Sequence, residues 1–299
     1  MQRLWSGRAF GLTIQSTFPL PGLREGVSSH SAERTLDINH VSPSALDERP
    51  VGERVCEWLD DDGRVTLAID ETASGYRFVV RNVGVYDLSR DGRRLCCRPL
   101  PAAGWDWRRY LIGQVLPFAA LLQGLEVFHA SAVEMDGRAV AISGASGLGK
   151  STLALELHLS GAGFLTDDVL AVEVCDDGVL AHAGVAMAKV RRATAEGILE
   201  VRRPVAHVAE PVPLDAFCLL RASDDGRVHF TEAAADARPL LGSTFNLVVS
   251  SAERLHAQLD VCATIAQQAR LLWAAVPRTI DARVAQEFRA QLVAAHVPA

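Results

Sequence analysis

Hydrophobic and polar positions along the 299-residue chain change their rhythm near position 104. Before it, short runs mixing β-branched, aromatic and polar residues read as strands at 12–14, 65–69 and 76–80. Turn signals at Asp62-Gly63, Ser74-Gly75 and Asp91-Gly92 separate such runs. Residues 25–50 are polar, and an exposed loop is expected there. Pro99, Pro101 and Gly104 mark a linker, so residues 1–103 are assigned to a smaller strand-rich domain and 104–299 to a second one. Residues 105–123 read as a helix, kinked at Pro117.

After Gly124 strand-like and helix-like segments alternate. A strand is expected over 125–133 and a tight hairpin turn at Met135, Asp136, Gly137 and Arg138. A buried strand follows over 138–143, then a Gly-rich loop, a helix over 151–160 closed by Gly161, and strands over 163–166 and 169–174. Residues 251–276 and 281–296 read as a helical tail. The alternation predicts an α/β fold. No internal repeat is visible.

Composition narrows the class. Hydrophobic residues are 49% and charged residues 22%, the balance of a soluble globular protein. The net charge of −6 argues against nucleic acid and against an anionic membrane as partners. The apolar run at 111–122 is interrupted by Gly113, Gln114 and Pro117 and is shorter than the ~20 residues of a membrane span. Residues 1–21 contain no uninterrupted apolar stretch, so no secretory signal is expected. Cys56, Cys96, Cys97, Cys175, Cys218 and Cys262 include no CxxC pair and read as reduced, mostly buried thiols, which places the chain in the cytoplasm. Of 30 basic residues only Lys150 and Lys189 are lysines. Codon bias accounts for the scarcity, but Arg and Lys are not chemically interchangeable, so each lysine warrants a question.

Lys150 lies in a complete G-x-x-x-x-G-K-[ST] pattern: Gly144, Ala145, Ser146, Gly147, Leu148, Gly149, Lys150, Ser151, followed by Thr152. The pattern sits between an apolar strand and a helix, where backbone N–H groups and the helix N-terminus can cradle a phosphate. Lys150 would reach the β- and γ-phosphates of ATP, and the Ser151 hydroxyl would ligate Mg²⁺. Asp167 and Asp168 follow that lysine by 17 and 18 residues, at the end of the next strand. One carboxylate there can serve the Mg²⁺ shell (Asp167) while the other accepts a proton from an attacking hydroxyl (Asp168). His129, in an apolar strand 21 residues before Lys150, reads on its own as a core residue. The other eight histidines show no metal-ligand spacing. Lys189, with Arg191 and Arg192, is either a second phosphate or substrate contact or part of a solvated basic cluster.

Taken together, His129, the loop from Gly144 to Ser151 with Ser146 at its internal serine, and the Asp167-Asp168 pair resemble the catalytic domain of the HPr kinase/phosphorylase family over about residues 105–200. The resemblance implies a P-loop kinase domain of the HPr kinase/phosphoenolpyruvate carboxykinase type. It implies that Asp168 is the proton acceptor, that His129 interacts with it, and that Lys150 holds the phosphates. The family's downstream metal-binding Glu and later catalytic Arg lie in signatures with no recognisable match here; Glu196 and Glu200 qualify for the first by distance alone. The segment at 10–22 resembles the opening of shorter HPr-kinase-like proteins, some encoded beside lasso-peptide modification genes. The implied activity is ATP- and Mg²⁺-dependent phosphorylation of a serine hydroxyl on a peptide or protein. Alternatives are a small-molecule hydroxyl acceptor and a nucleotide-binding regulator without catalysis. The resemblance is compatible with a homo-oligomer.

Overall fold

The computed structural model describes residues 4–24, 34–41, 51–104, 106–194, 197–206, 208, 211–233, 237–245, 248–249 and 251–295, without the side chains of 106 and 190–203. The chain divides into two units, Met1–Val127 with Asn246–Ser251, and Phe128–Phe245 with Ala252–Ala299. It is a mixed α/β protein with two large sheets. Among the described residues no helix is long and apolar enough to cross a membrane.

In the first unit β1 (Trp5–Ala9), β2 (Leu12–Ser16), β3 (Thr35–His40), β4 (Glu53–Leu59), β5 (Val65–Thr72), β6 (Gly75–Val80), β7 (Gly84–Ser89) and β8 (Arg94–Pro99) form one sheet. Its order is β1-β2-β3-β8-β7-β6-β5-β4. The strand β3 lies within the polar stretch expected to contain an exposed loop. Leu36 and Ile38 are buried while Asp37 between them is exposed, the alternation of a half-buried strand. The rest of that stretch, 25–33 and 42–50, lies outside the described residues.

The helical stretch is α1 (Asp106–Tyr110), a π-helical turn (Leu111–Val115) and α2 (Leu116–Leu122). The irregularity expected at Pro117 is therefore a π-turn just before it. The Leu116 N–H bonds the Leu111 carbonyl five residues back, and the wider turn makes room for a ring that would otherwise clash with the residue-113 carbonyl. This stretch belongs to the first unit, so the division falls after Val127 and not at 103/104. The reason is packing. Phe118 meets Tyr76 and Phe78 edge-to-face at 5.0 and 5.4 Å, and the Gln123 amide donates to the carbonyls of Thr35 and Gly92.

The second large sheet is built from β9 (Glu126–Phe128), β10 (Ala130–Met135), β11 (Arg138–Ser143), β12 (Gly163–Thr166), β13 (Leu170–Cys175), β14 (Gly178–His182), β17 (Val212–Ala222), β18 (His229–Glu232) and β19 (Arg270–Val276). Between β14 and β17 in sequence, β15 (Met187–Thr194) and β16 (Gly197–Pro204) form a separate two-stranded ribbon. The order is β12-β10-β11-β17-β14-β13-β9, with β19 pairing β17 and β18. At its centre β11, β17 and β19 are parallel. The helices are α3 (Lys150–Leu159), α4 (Arg238–Leu241), α5 (Ala252–Gln268) and α6 (Ala282–Ala294).

Alternate residues of β11 serve opposite faces. Val140 and Ile142 pack with Leu153 and Leu157 of α3 and Phe288 of α6; Ala139 and Ala141 pack in the cluster holding Cys262 and Ile265 of α5. The expected hairpin turn is present. Asp136 and Gly137 both have positive φ, 54° and 79°, matching the twist of the flanking strands.

Two expectations fail. Residues 270–276, expected to continue a helix, are β19, because an apolar run of that length fits a buried strand as well as a buried helix and its neighbours β17 and β18 supply the hydrogen bonds. The strand expected over 125–133 is broken at His129, whose N–H bonds the Ser243 carbonyl at 2.5 Å instead of a strand neighbour. The six cysteines form no disulfide; Cys97, Cys218 and Cys262 are buried and the others partly exposed.

Candidate active site

Parallel strands deliver their carboxyl ends to one edge of a sheet, and ligands collect there. At that edge of the second unit β11 ends at Ser143 and the chain turns through residues 144–149 into α3. The turn requires left-handed backbone at Gly147 and Gly149, with φ of 86° and 87°. At Gly149 space also excludes a side chain, because a Cβ would stand 2.5 Å from Ile280 Cδ1. Lys150 and Ser151 open α3, so their amides have no intrahelical acceptor and the helix adds partial positive charge. Lys150 is buried as a residue, and its ammonium donates to the carbonyls of Gly144 at 2.8 Å and Ala145 at 3.3 Å. Burial lowers its pKa, against the upward pull of Asp168 and Asp167.

The acidic pair ends β12. Asp167 is buried: the Ser131 hydroxyl donates to its Oδ1 at 3.0 Å and the Lys189 amide to its Oδ2 at 2.9 Å. Its pKa is raised, first by desolvation and then by the Asp168 charge, while hydrogen bonds from Ser151, the Lys189 amide and Ser131 draw it down. Asp168 has φ of 66°, and the Val169 N–H closes onto the Asp167 carbonyl at 2.8 Å. That is a γ-turn of the rare positive-φ kind, strained for a residue with a Cβ. The strain turns Asp168 outward, away from its buried neighbour. Its Oδ1 is 3.5 Å from Ser151 Oγ and its Oδ2 3.6 Å from Lys189 Nζ.

A cavity of about 380 Å³ opens between these elements, lined by His129, Ser146, Gly147, Gly149, Lys150, Ser151, Thr152, Asp168, Lys189, Arg278 and Ile280. Both of the chain's lysines are on this wall. Gly144, Ala145 and Leu148 shape the loop from behind; Leu148 packs against the core. Asp167 does not line the cavity. His129 is exposed at its edge, and its pKa is lowered by desolvation on the protein side and by Lys150, with Asp168 opposing.

Glu196, and the side chains of Arg191, Arg192 and Glu200, lie outside the described residues. Sequence reasoning missed Arg278 and Ile280. They follow β19, so reading 270–276 as helix hid the fact that the next loop reaches the carboxyl edge. Among the described residues no three His, Cys, Asp or Glu side chains cluster to hold a metal by themselves. A Mg²⁺ ion that takes most of its ligands from phosphates and water needs only one or two protein oxygens. Ser151 and the acidic pair have that hard-oxygen chemistry, with the Ser151 hydroxyl within reach of both carboxylates.

No protein-family model matches the chain, and no curated protein matches it. Among solved structures it is similar to the Hpr(Ser) kinase/phosphatase from Coxiella burnetii, at a TM-score of 0.31 and 13% identity, over 57% of this chain and 99% of that one.

Proposed function

We propose that this protein is an ATP-dependent kinase that transfers the γ-phosphoryl group to a serine hydroxyl of a peptide or protein. One observation carries the reading: a complete phosphate-loop sequence, a strained outward-facing carboxylate and three cationic side chains meet in one cavity. Phosphoryl transfer asks a protein mainly to position its reactants and to neutralise charge spread over the phosphoryl oxygens.

The amides of the loop and of the α3 N-terminus bind the nucleotide's phosphates. Lys150 leaves the Gly144 and Ala145 carbonyls for them; those carbonyls hold it in place until then. Ser151 would hold Mg²⁺ from the cavity wall, with the inward-turned Asp167 accepting the Ser151 hydroxyl proton behind it, and the ion when bound would supply charge neutralisation on the phosphates. Asp168 accepts the proton of the acceptor hydroxyl as its oxygen bonds to phosphorus and the bond to the β,γ-bridging oxygen breaks. The product pair is a phosphoserine and ADP. Lys189 and Arg278 stabilise charge on the group in transit. His129 lines the same cavity as Asp168, and with its pKa lowered by desolvation it is neutral near pH 7.

The test is transfer of labelled γ-phosphate from ATP, with and without Mg²⁺, to seryl peptides, proteins and small hydroxyl acceptors. Transfer to seryl acceptors, lost in Asp168→Asn and Lys150→Ala, is expected. Nucleotide binding with no transfer to any acceptor, unchanged by Asp168→Asn, would overturn the proposal in favour of a nucleotide-sensing protein.

A further inference from the structure

His129 occupies a break in what would otherwise be one continuous strand, and both of its backbone polar groups are satisfied from outside the ladder. Its N–H donates to the Ser243 carbonyl at 2.5 Å. Its carbonyl accepts from the Ser143 hydroxyl at 3.1 Å. The two serine hydroxyls, 100 residues apart in sequence, are 2.7 Å from each other. Because the Ser143 proton goes to the His129 carbonyl, the proton between the hydroxyls belongs to Ser243. The result is a closed ring in which His129, Ser243 and Ser143 each donate once and accept once. The Ser143 hydroxyl both accepts and donates, so the Ser243–Ser143–His129 run of bonds strengthens cooperatively, most of all where water is excluded, and both serines are buried. The next pair along, Phe128 with Thr244, is bridged as well, so residues 243–244 act as a short surrogate strand at the break.

The ring is also tied to the phosphate loop, since Ser143 is the last residue of β11 and is bonded to Gly144. We propose that Ser143 and Ser243 are positioning residues, a clamp that fixes His129 on the wall of the cavity it shares with Asp168 and ties its placement to that of the phosphate loop. The inference rests on the kinase reading for its catalytic consequence, but the clamp itself can be read without turnover.

The charged groups around the His129 ring are Lys150, Lys189, Asp168 and Asp167, none of which is substituted in the variants below. The ring's titration, followed by imidazole NMR and assigned by difference from His129→Gln, therefore reports how firmly the ring is held. In Ser243→Ala and Ser143→Ala the His129 pKa is expected to move from its wild-type value as the ring shifts relative to Lys150 and Asp168, and Ser243→Thr, which keeps the hydroxyl, is expected to restore it. In the kinase assay both alanine variants lower kcat by about tenfold or more, with KM for ATP little changed, because a small misplacement is costly at a reacting centre. In a His129→Gln background the same substitutions add no further loss. An unchanged His129 titration in both alanine variants would overturn the clamp, as would full losses persisting in the His129→Gln background. If the wild-type chain transfers no phosphate, the kinase reading fails, and the NMR result alone decides the clamp.

Discussion

Asp168→Gly and Asp168→Ala remove the same carboxylate, the same 3.6 Å approach of Lys189 Nζ and the same repulsion of Asp167. They differ in whether a Cβ remains on a backbone held at φ of 66°. An L-residue at positive φ costs about 1–2 kcal/mol, a cost glycine avoids. Glycine gives back about 0.4–1 kcal/mol through the greater freedom of its unfolded chain. The difference leaves Asp168→Gly more stable than Asp168→Ala by roughly 0.5–1 kcal/mol, on the order of 1–3 °C in Tm for a chain of this size. Urea unfolding followed by circular dichroism, with midpoints compared at constant slope, reads the difference directly. Both variants are expected to lose phosphoryl transfer by about 10²–10⁴-fold, the usual contribution of a positioned acid–base group. Equal stability of the two variants, or a more stable alanine, would refute the claim that Asp168 is held in strain. That strain is what aims the carboxylate into the cavity.

Further outcomes follow from the same geometry. Lys189→Ala is expected to lower phosphoryl transfer by at least about tenfold, with only partial recovery in Lys189→Arg, because a compact ammonium and a planar guanidinium do not fill the same place beside Asp168; unchanged transfer in the alanine variant would rule the role out. His129 titrates below the ordinary value of about 6.5, so just below that pH the unfolded chain takes up a proton that the folded chain does not. Stability therefore falls as pH drops through that window, and the fall between pH 7.5 and 5.5 should be smaller in His129→Gln. Gly149→Ala should weaken nucleotide binding, measured by calorimetry, and adding Ile280→Ala should restore part but not all of it, since the clash is relieved while the positive φ remains. With an alkylating reagent on the native protein, Cys97, Cys218 and Cys262 should stay unlabelled until unfolding. Burial pushes the Cys97 thiol up and the Cys218 thiol to about 12.

Much of the site was legible because its parts are local. The loop from Gly144 to Ser151 needs glycines, a lysine and a hydroxyl at fixed offsets between a strand and a helix, and all of these are neighbours in sequence. The hairpin at Asp136-Gly137 and the helix closed by Gly161 were readable for the same reason: their φ values of 54°, 79° and 102° are set by the residues themselves. The failures share a different cause. Residues 270–276 are apolar and Ala-rich, a pattern a buried helix and a buried strand both satisfy, and only the partners β17 and β18 decide between them. The 106–122 helical stretch shows an apolar face but not its partner, which proved to be Tyr76 and Phe78 of the first sheet.

The sequence by itself therefore determined the glycine-rich turn between β11 and α3 and the acidic pair after β12, because those features depend on short-range backbone geometry. Which of the two aspartates faces the cavity was not in the sequence: Asp167 turns inward because Ser131 and the Lys189 amide satisfy it there, and the strained turn at Asp168 sends the other out. The same holds for Arg278, delivered by β19, and for the His129 break, held open by Ser243 from 114 residues away. Each is fixed by hydrogen bonds and packing between segments far apart along the chain, and such contacts form only when the sheet brings the segments together.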